Sequence, residues 1–234
     1  MIERRRSKVE LSSRDGEQRA RSRGMSEKSL SIEERSMNII ESEIGPHDYN
    51  IDEWYLVRRV IHATADFDFA KSGKIVFSKN AIKGAFQAFS ERRPILTDVE
   101  MVRSGINKRS LEKIGVEAIC NISDERVILE SKNSNRTRSA VAMRNAISLI
   151  DNGIVAIGNA PTALLEVINI IKDGSATPAL IIGLPVGFVS AADSKAELRK
   201  IKIEYVTNLG RKGGSPAVSS IVNALMLLYL EKLS

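Results

Sequence analysis

Scarcity sets the first limits on this chain. Its 234 residues include one cysteine, Cys120, so no intramolecular disulfide framework can brace the fold. Aromatic residues make up 5%, and residues 1–24 contain none, which leaves that basic segment nothing to stack on bases or to anchor at a lipid interface. No glycine-rich segment matches a P-loop or the G-x-G-x-x-G dinucleotide fingerprint, so no motif specifies nucleotide binding. Neither a signal-peptide pattern nor an uninterrupted apolar run of spanning length is present, and a soluble cytoplasmic protein is the expectation. Histidine occurs twice, at His47 and His62, which narrows imidazole chemistry to two candidates.

What is present suits one α/β domain with a full core: the hydrophobic fraction is 43%. The formal charge of +6 is concentrated at the start, where residues 1–24 hold eight Arg or Lys against four Asp or Glu. That segment lacks apolar periodicity and is expected to be a disordered basic extension, with Met25 a candidate start and residues 25–234 a single domain.

Apolar periodicity predicts a first helix over 31–44, ended by Gly45-Pro46, and a second that Asp52 can cap, running through Trp54, Val57, Val60 and Ile61. Beyond it come a short extended piece at 75–77, a helix at 80–91, a strand at 94–99 and a helix at 99–104. Strands at 116–121, 153–157, 178–182 and 203–206 alternate with helices at 136–150, 161–172, 191–199 and 215–232. Such alternation with nearly continuous apolar strands calls for a three-layer α/β/α, Rossmann-like architecture around a mostly parallel sheet. Ligands bind outside the carboxyl ends of the strands in such sheets.

Three segments carry the signals of such a rim: Gly158-Asn159-Ala160-Pro161-Thr162, Gly183-Leu184-Pro185-Val186-Gly187 and Gly210-Arg211-Lys212-Gly213-Gly214-Ser215-Pro216. Glycine permits close backbone approach, proline preorganises a first helical turn, and the helix that follows offers unpaired N–H groups to an anion. A large acidic small molecule fits that geometry. Gly158, Pro161, Pro185, Gly187, Gly213 and Gly214 are expected to shape the pocket, with Asn159 and Thr162 at its edge.

Read by themselves, other residues keep two readings. His47, in a Gly45-Pro46-His47-Asp48 turn, is a solvated loop residue; His62 is either a packed or capping histidine or a functional one. Arg136 and Arg138 either bind carboxylates or decorate a solvated helix start, where Thr137 and Ser139 can also donate. Thr97 and Asp98 end a strand, as pocket residues or a helix N-cap. Arg211 and Lys212 hold a carboxylate or form a basic surface turn. Phe188 stacks on a ligand or packs in a core or dimer, and Cys120, in an apolar strand, is read as buried and inert.

Six ordered blocks carry a resemblance over about residue 32 to the C-terminus: Val60-Ile61-His62-Ala63-Thr64-Ala65-Asp66, Pro94-Ile95-Leu96-Thr97-Asp98-Val99-Glu100-Met101-Val102, Thr137-Arg138-Ser139-Ala140, Ile157-Gly158-Asn159-Ala160-Pro161-Thr162-Ala163, Pro185-Val186-Gly187-Phe188-Val189 and Arg211-Lys212-Gly213-Gly214-Ser215-Pro216. With these the chain closely resembles the precorrin-8X methylmutase family and its cobalt-precorrin-8 counterpart. The resemblance implies a homodimeric α/β isomerase of cobalamin biosynthesis with no cofactor or metal of its own. Such an enzyme moves a methyl group from C11 to C12 of a corrinoid ring, giving hydrogenobyrinic or cobyrinic acid. It further implies that His62 is catalytic, and that Arg35 and Ser36, on the first helix, line the substrate site. Imidazole suits the reaction, because protonating the macrocycle draws electron density toward the migration terminus. Asp66 or Asp68 could orient it.

Two further readings compete. A non-catalytic corrinoid or small-anion binding protein would tolerate replacement of His62, and an RNA-binding protein would lose salt-sensitive affinity without residues 1–24. Neither nucleic acid nor membrane is an expected partner.

Overall fold

The computed structural model describes residues 27–233, so the basic extension and Met25 lie outside the described residues. Contacts divide the chain into two compact units, Met1–Pro46 and His47–Ser234. In the first, helix α1 (Glu27–Ile44) stops where the Gly45 N–H returns to the Glu41 carbonyl at 3.1 Å. Arg35 is exposed on this helix, and Ser36 donates its hydroxyl to the Ile32 carbonyl.

The second unit runs α2 (Ile51–Thr64), a 3-10 turn (Phe67–Ala70), β1 (Ile75–Phe77), α3 (Ala81–Ser90), β2 (Ile95–Thr97), α4 (Glu100–Gly105), α5 (Lys108–Ile114), β3 (Ala118–Ile119), α6 (Glu125–Asn133), α7 (Arg138–Arg144), α8 (Ile147–Ile150), β4 (Ile154–Ile157), α9 (Pro161–Lys172), β5 (Leu180–Gly183), α10 (Ala191–Leu198), β6 (Tyr205–Asn208) and α11 (Ser215–Leu233). The strands form one sheet in the order β1-β6-β5-β4-β2-β3. All pairings are parallel except that of β1 with β6, at the edge.

Apolar strands such as Ile154-Val155-Ala156-Ile157 are buried on both faces, as parallel strands require. One face packs Leu96, Val155, Ile157 and Ile181 against Met143 of α7, Leu164, Val167 and Ile168 of α9, and Leu198 of α10. From the other, α11 packs on β4 and β5 and against α2, α3, α4 and α5. By length and composition α11 could cross a membrane, yet half of it is buried inside the molecule, as in a core helix.

Several local expectations shift. Asn50, rather than Asp52, caps α2: its side chain accepts from the Glu53 N–H while Glu53 reaches back to the Asn50 N–H, completing a capping box. Asp52 instead pairs with Lys232 of α11 at 2.6 Å. The helix expected over 136–150 divides into α7 and α8 at Asn145, whose amide is drawn to Glu130 of α6 at 2.8 Å. His47 is half-buried with its ring 4.0 Å from that of Trp54, so it is a packed residue and not a solvated one. Beside it, burial raises the Tyr49 hydroxyl to about 12 while that group donates to the Ile75 carbonyl at 2.9 Å.

The chain places β3 on one side of β2 and β4 on the other. Beyond the carboxyl ends of β2 and β4 the topology therefore opens a crevice, the usual place for a ligand in an open α/β sheet.

Candidate active site

Five parallel strands end on this side, and four of them, β2, β4, β5 and β6, are each followed by a segment the sequence singled out. Thr97 closes β2 and turns its hydroxyl to the Ile119 carbonyl of β3 at 3.1 Å. Asp98, the next residue, is fully buried. Its carboxylate accepts the N–H groups of Gly158 at 3.0 Å, Asn159 at 2.8 Å and Ala160 at 2.7 Å. Burial pushes this carboxyl above its ordinary range, against the pull of the three N–H bonds. Asp98 thus braces the loop after β4 across the switch point, and its oxygens are engaged by protein. Gly158 has no room for a side chain: a Cβ there would lie 2.8 Å from Val102 and 2.9 Å from the Ser215 Cα.

Pro161 then opens α9 at its first turn, and Thr162 meets the start of α7. The Thr162 hydroxyl lies 2.9 Å from those of both Thr137 and Ser139, and Thr137 caps α7 by accepting from Ala140. Arg138, exposed, follows that cap. Arg136 has another partner. It pairs at 2.5 Å with the buried Glu166 of α9, which also binds Arg144 at 2.5 Å. Arg144 in turn meets Asp173 at 2.7 Å, and Ser175 first, then Arg144, hold that carboxyl down at about 2.

The loops after β5 and β6 are interlocked. Gly214 donates to the Leu184 carbonyl at 2.9 Å, Gly187 donates to the Arg211 carbonyl at 3.2 Å, and a Cβ on Gly213 would collide with the Leu184 backbone. Gly213 and Gly214 take φ of 155° and 118°, conformations that favour glycine. Pro185 is buried beneath them. Phe188 is 88% exposed, so it is not a core residue, and the Arg211 guanidinium lies 5.7 Å from its ring centre. Val189 is also exposed, forming an apolar ledge beside the basic turn.

His62 stands in the last turn of α2, with its side chain exposed. Ala65 reverses the chain in a left-handed conformation, and Asp66 caps the 3-10 turn. Lys212 reaches this segment from the loop after β6, 2.8 Å from Asp66 and 3.2 Å from Asp68. These bonds raise the Lys212 ammonium, the one to Asp66 most; Ser72, more than Lys212, lowers the Asp68 carboxyl. Asp66 and Asp68 are thus directed at Lys212, and the pairing brings the His62 end of α2 to the same edge as the loop after β6.

The structure gathers Thr97, Asp98, Gly158, Asn159, Pro161, Thr162, Arg138, Pro185, Gly187, Arg211, Lys212, Gly213 and Gly214 on loops and helix starts beyond the carboxyl ends of β2, β4, β5 and β6. Arg35 and Ser36 lie in the first unit. Cys120 is half-buried at the open end of β3 rather than sealed within a strand, and burial is the largest cause of its raised thiol pKa. Sequence reading missed two buried charges of this region, Glu166 and Lys195. Each had a signal: a charged residue at a core-facing position of an otherwise apolar helix face.

Fold and rim together define a doubly wound α/β protein with cations, hydroxyls and helix starts beyond the carboxyl ends of its strands, and with His62 exposed at the end of α2. Comparison narrows this class. A profile described as precorrin-8X methylmutase matches residues 31–228. The cobalt-precorrin-8 methylmutase of Priestia megaterium is 47% identical over 197 residues, covering 84% of this chain and 87% of that protein. A precorrin-8X methylmutase of Sinorhizobium is 36% identical, with 83% and 92% covered. The crystal structure of precorrin-8X methylmutase from Thermus thermophilus superposes with a TM-score of 0.81 at 37% identity, covering 86% of this chain and 97% of that one. The chain belongs to the precorrin-8X methylmutase family.

Proposed function

We propose that this protein isomerises precorrin-8X, or its cobalt form, moving the methyl group from C11 to C12 to give hydrogenobyrinic or cobyrinic acid, with His62 as the proton donor. Family membership supports the reaction. The observation that carries the residue assignment is the exposed His62 at the helix end that Lys212 ties to the loop after β6.

The substrate is an apolar disc rimmed by carboxylates. Phe188 and Val189 offer an apolar face, while Arg138, Arg211, Lys212, Thr162 and the hydroxyls of Thr137 and Ser139 offer donors around it. An arginine fork meets a carboxylate with two parallel bonds. Arg136 contributes charge while held by Glu166. Asp98, Gly158, Gly213 and Gly214 keep the loops in place.

His62 gives a proton to the macrocycle, the methyl group migrates as electron density shifts toward C12, and the proton returns to the imidazole as the product's conjugation is restored. Apart from that proton, bond making and breaking stay within the substrate, so binding, orientation and one proton suffice. Cobalt, when present, is cargo of the substrate. We further assign residues 25–234 to one functional domain behind a basic extension of residues 1–24, acting as a cytoplasmic homodimer.

Anaerobic incubation with precorrin-8X and, separately, its cobalt form tests this, with turnover followed by absorbance. Wild type is expected to convert at least one form, and H62A to lose about 10²–10⁴-fold in kcat while still binding product. Full activity in H62A would remove His62 from the chemistry. Binding without turnover by wild type would make the protein a carrier.

A further inference from the structure

Among the described residues no other lysine or arginine is buried like Lys195, which is 1% exposed. It lies on the inner face of α10 with Ala191, Ser194 and Leu198. Its ammonium donates to the Asn208 side-chain oxygen at 3.0 Å and to the Lys212 carbonyl at 2.6 Å. The Asn208 amide donates to the same carbonyl and to that of Leu209, each at 3.0 Å. No carboxylate among the described residues pairs with the ammonium, and burial lowers it from 10.5 to about 8.

A buried cation with only neutral acceptors is costly, and an apolar side chain of similar length would fill the same slot. Its presence is therefore explained by what it holds. Lys195 and Asn208 together clamp the turn at 209–212, the turn that presents Arg211 to the apolar ledge and Lys212 to Asp66 and Asp68. Pinning the carbonyl of Lys212 fixes where its own side chain leaves the backbone.

Resting on the function proposed above, we infer that Lys195 is a positioning residue for substrate binding: it anchors the Lys212 carbonyl and so aims Arg211 and Lys212 at a substrate carboxylate beside His62. It does not touch the substrate. Uniform binding energy is what it supports, so its loss appears in KM and not in kcat.

The test is a double-mutant cycle of K195M, K212M and the combined variant, run with wild type and H62A in the same assay. K195M is expected to raise KM about tenfold, the worth of one charge-assisted hydrogen bond, with kcat within about twofold of wild type. In the K212M background the same change is expected to add little, because both act on one contact. A fall in kcat at unchanged KM, or independent multiplication of the two effects, overturns the proposal. Failure of the reading beneath it is seen separately, as absent wild-type turnover or an active H62A. In that event the same cycle is read from the Kd for the corrinoid product, and absence of any binding overturns both. K195Q is the second variant should K195M not fold; failure of both to fold makes Lys195 a folding residue and overturns the proposal.

Discussion

The loop after β4 and the loop after β6 are each gripped from below by one buried charge of opposite sign. Asp98 accepts three N–H groups of the first; Lys195 donates to a single carbonyl of the second and to Asn208. The two grips differ in quality. Both charges have burial to overcome, but the carboxylate sits under three N–H donors, whereas the ammonium has two neutral acceptors. The first loop is a wall of the crevice; the second carries Arg211, at the Phe188 ring, and Lys212, paired with Asp66 and Asp68.

The strongest challenge to this contrast is D98A. It orphans three N–H groups in a buried site and is expected to cost about 3–5 kcal/mol of stability, read as a large fall in Tm, with activity lost alongside. A D98A protein as stable as wild type would dissolve the distinction. The charge on Lys195 gives a second measure. Its folded pKa, about 8, lies below its unfolded value of 10.5, so within that window the unfolded chain binds the additional proton and stability rises with pH. Wild type is expected to gain at most about 3 kcal/mol on K195M between pH 8 and 10.5 in denaturant titrations. A constant difference across that window would show that the lysine is not a strained cation. The smallest effect is expected from T162V, which leaves Thr137 and Ser139 paired at 3.2 Å. Its stability should stay within about 1 kcal/mol of wild type while KM rises about fivefold, through one lost hydroxyl donor.

The sequence made most of this geometry legible where apolar period and breaker residues coincide. Helix α9 begins at Pro161 and ends at Lys172 as the pattern predicts, because a proline start and a continuous apolar face mark both ends. Strand β6 was displaced by two residues, since Thr207 and Asn208 are polar yet buried, their side chains satisfied within the fold. Helices α5 and α6 escaped notice because they are short, strongly charged and bury few side chains. At the site, glycine and proline announced the loops, and the resemblance singled out His62. Composition cannot show that Asp98 faces three backbone donors, or that Arg136 and Arg144 converge on Glu166, because both depend on contacts between distant segments. The same holds for Lys195, whose partners are 13 and 17 residues away.

The passage of Gly213 and Gly214 across the Leu184 backbone makes the segments after β5 and β6 a single mechanical piece. A chimera with a relative can therefore exchange the pair together, but one loop transplanted alone would meet a neighbour shaped for another crossing. A length change in either loop is therefore expected to need a matching change in the other.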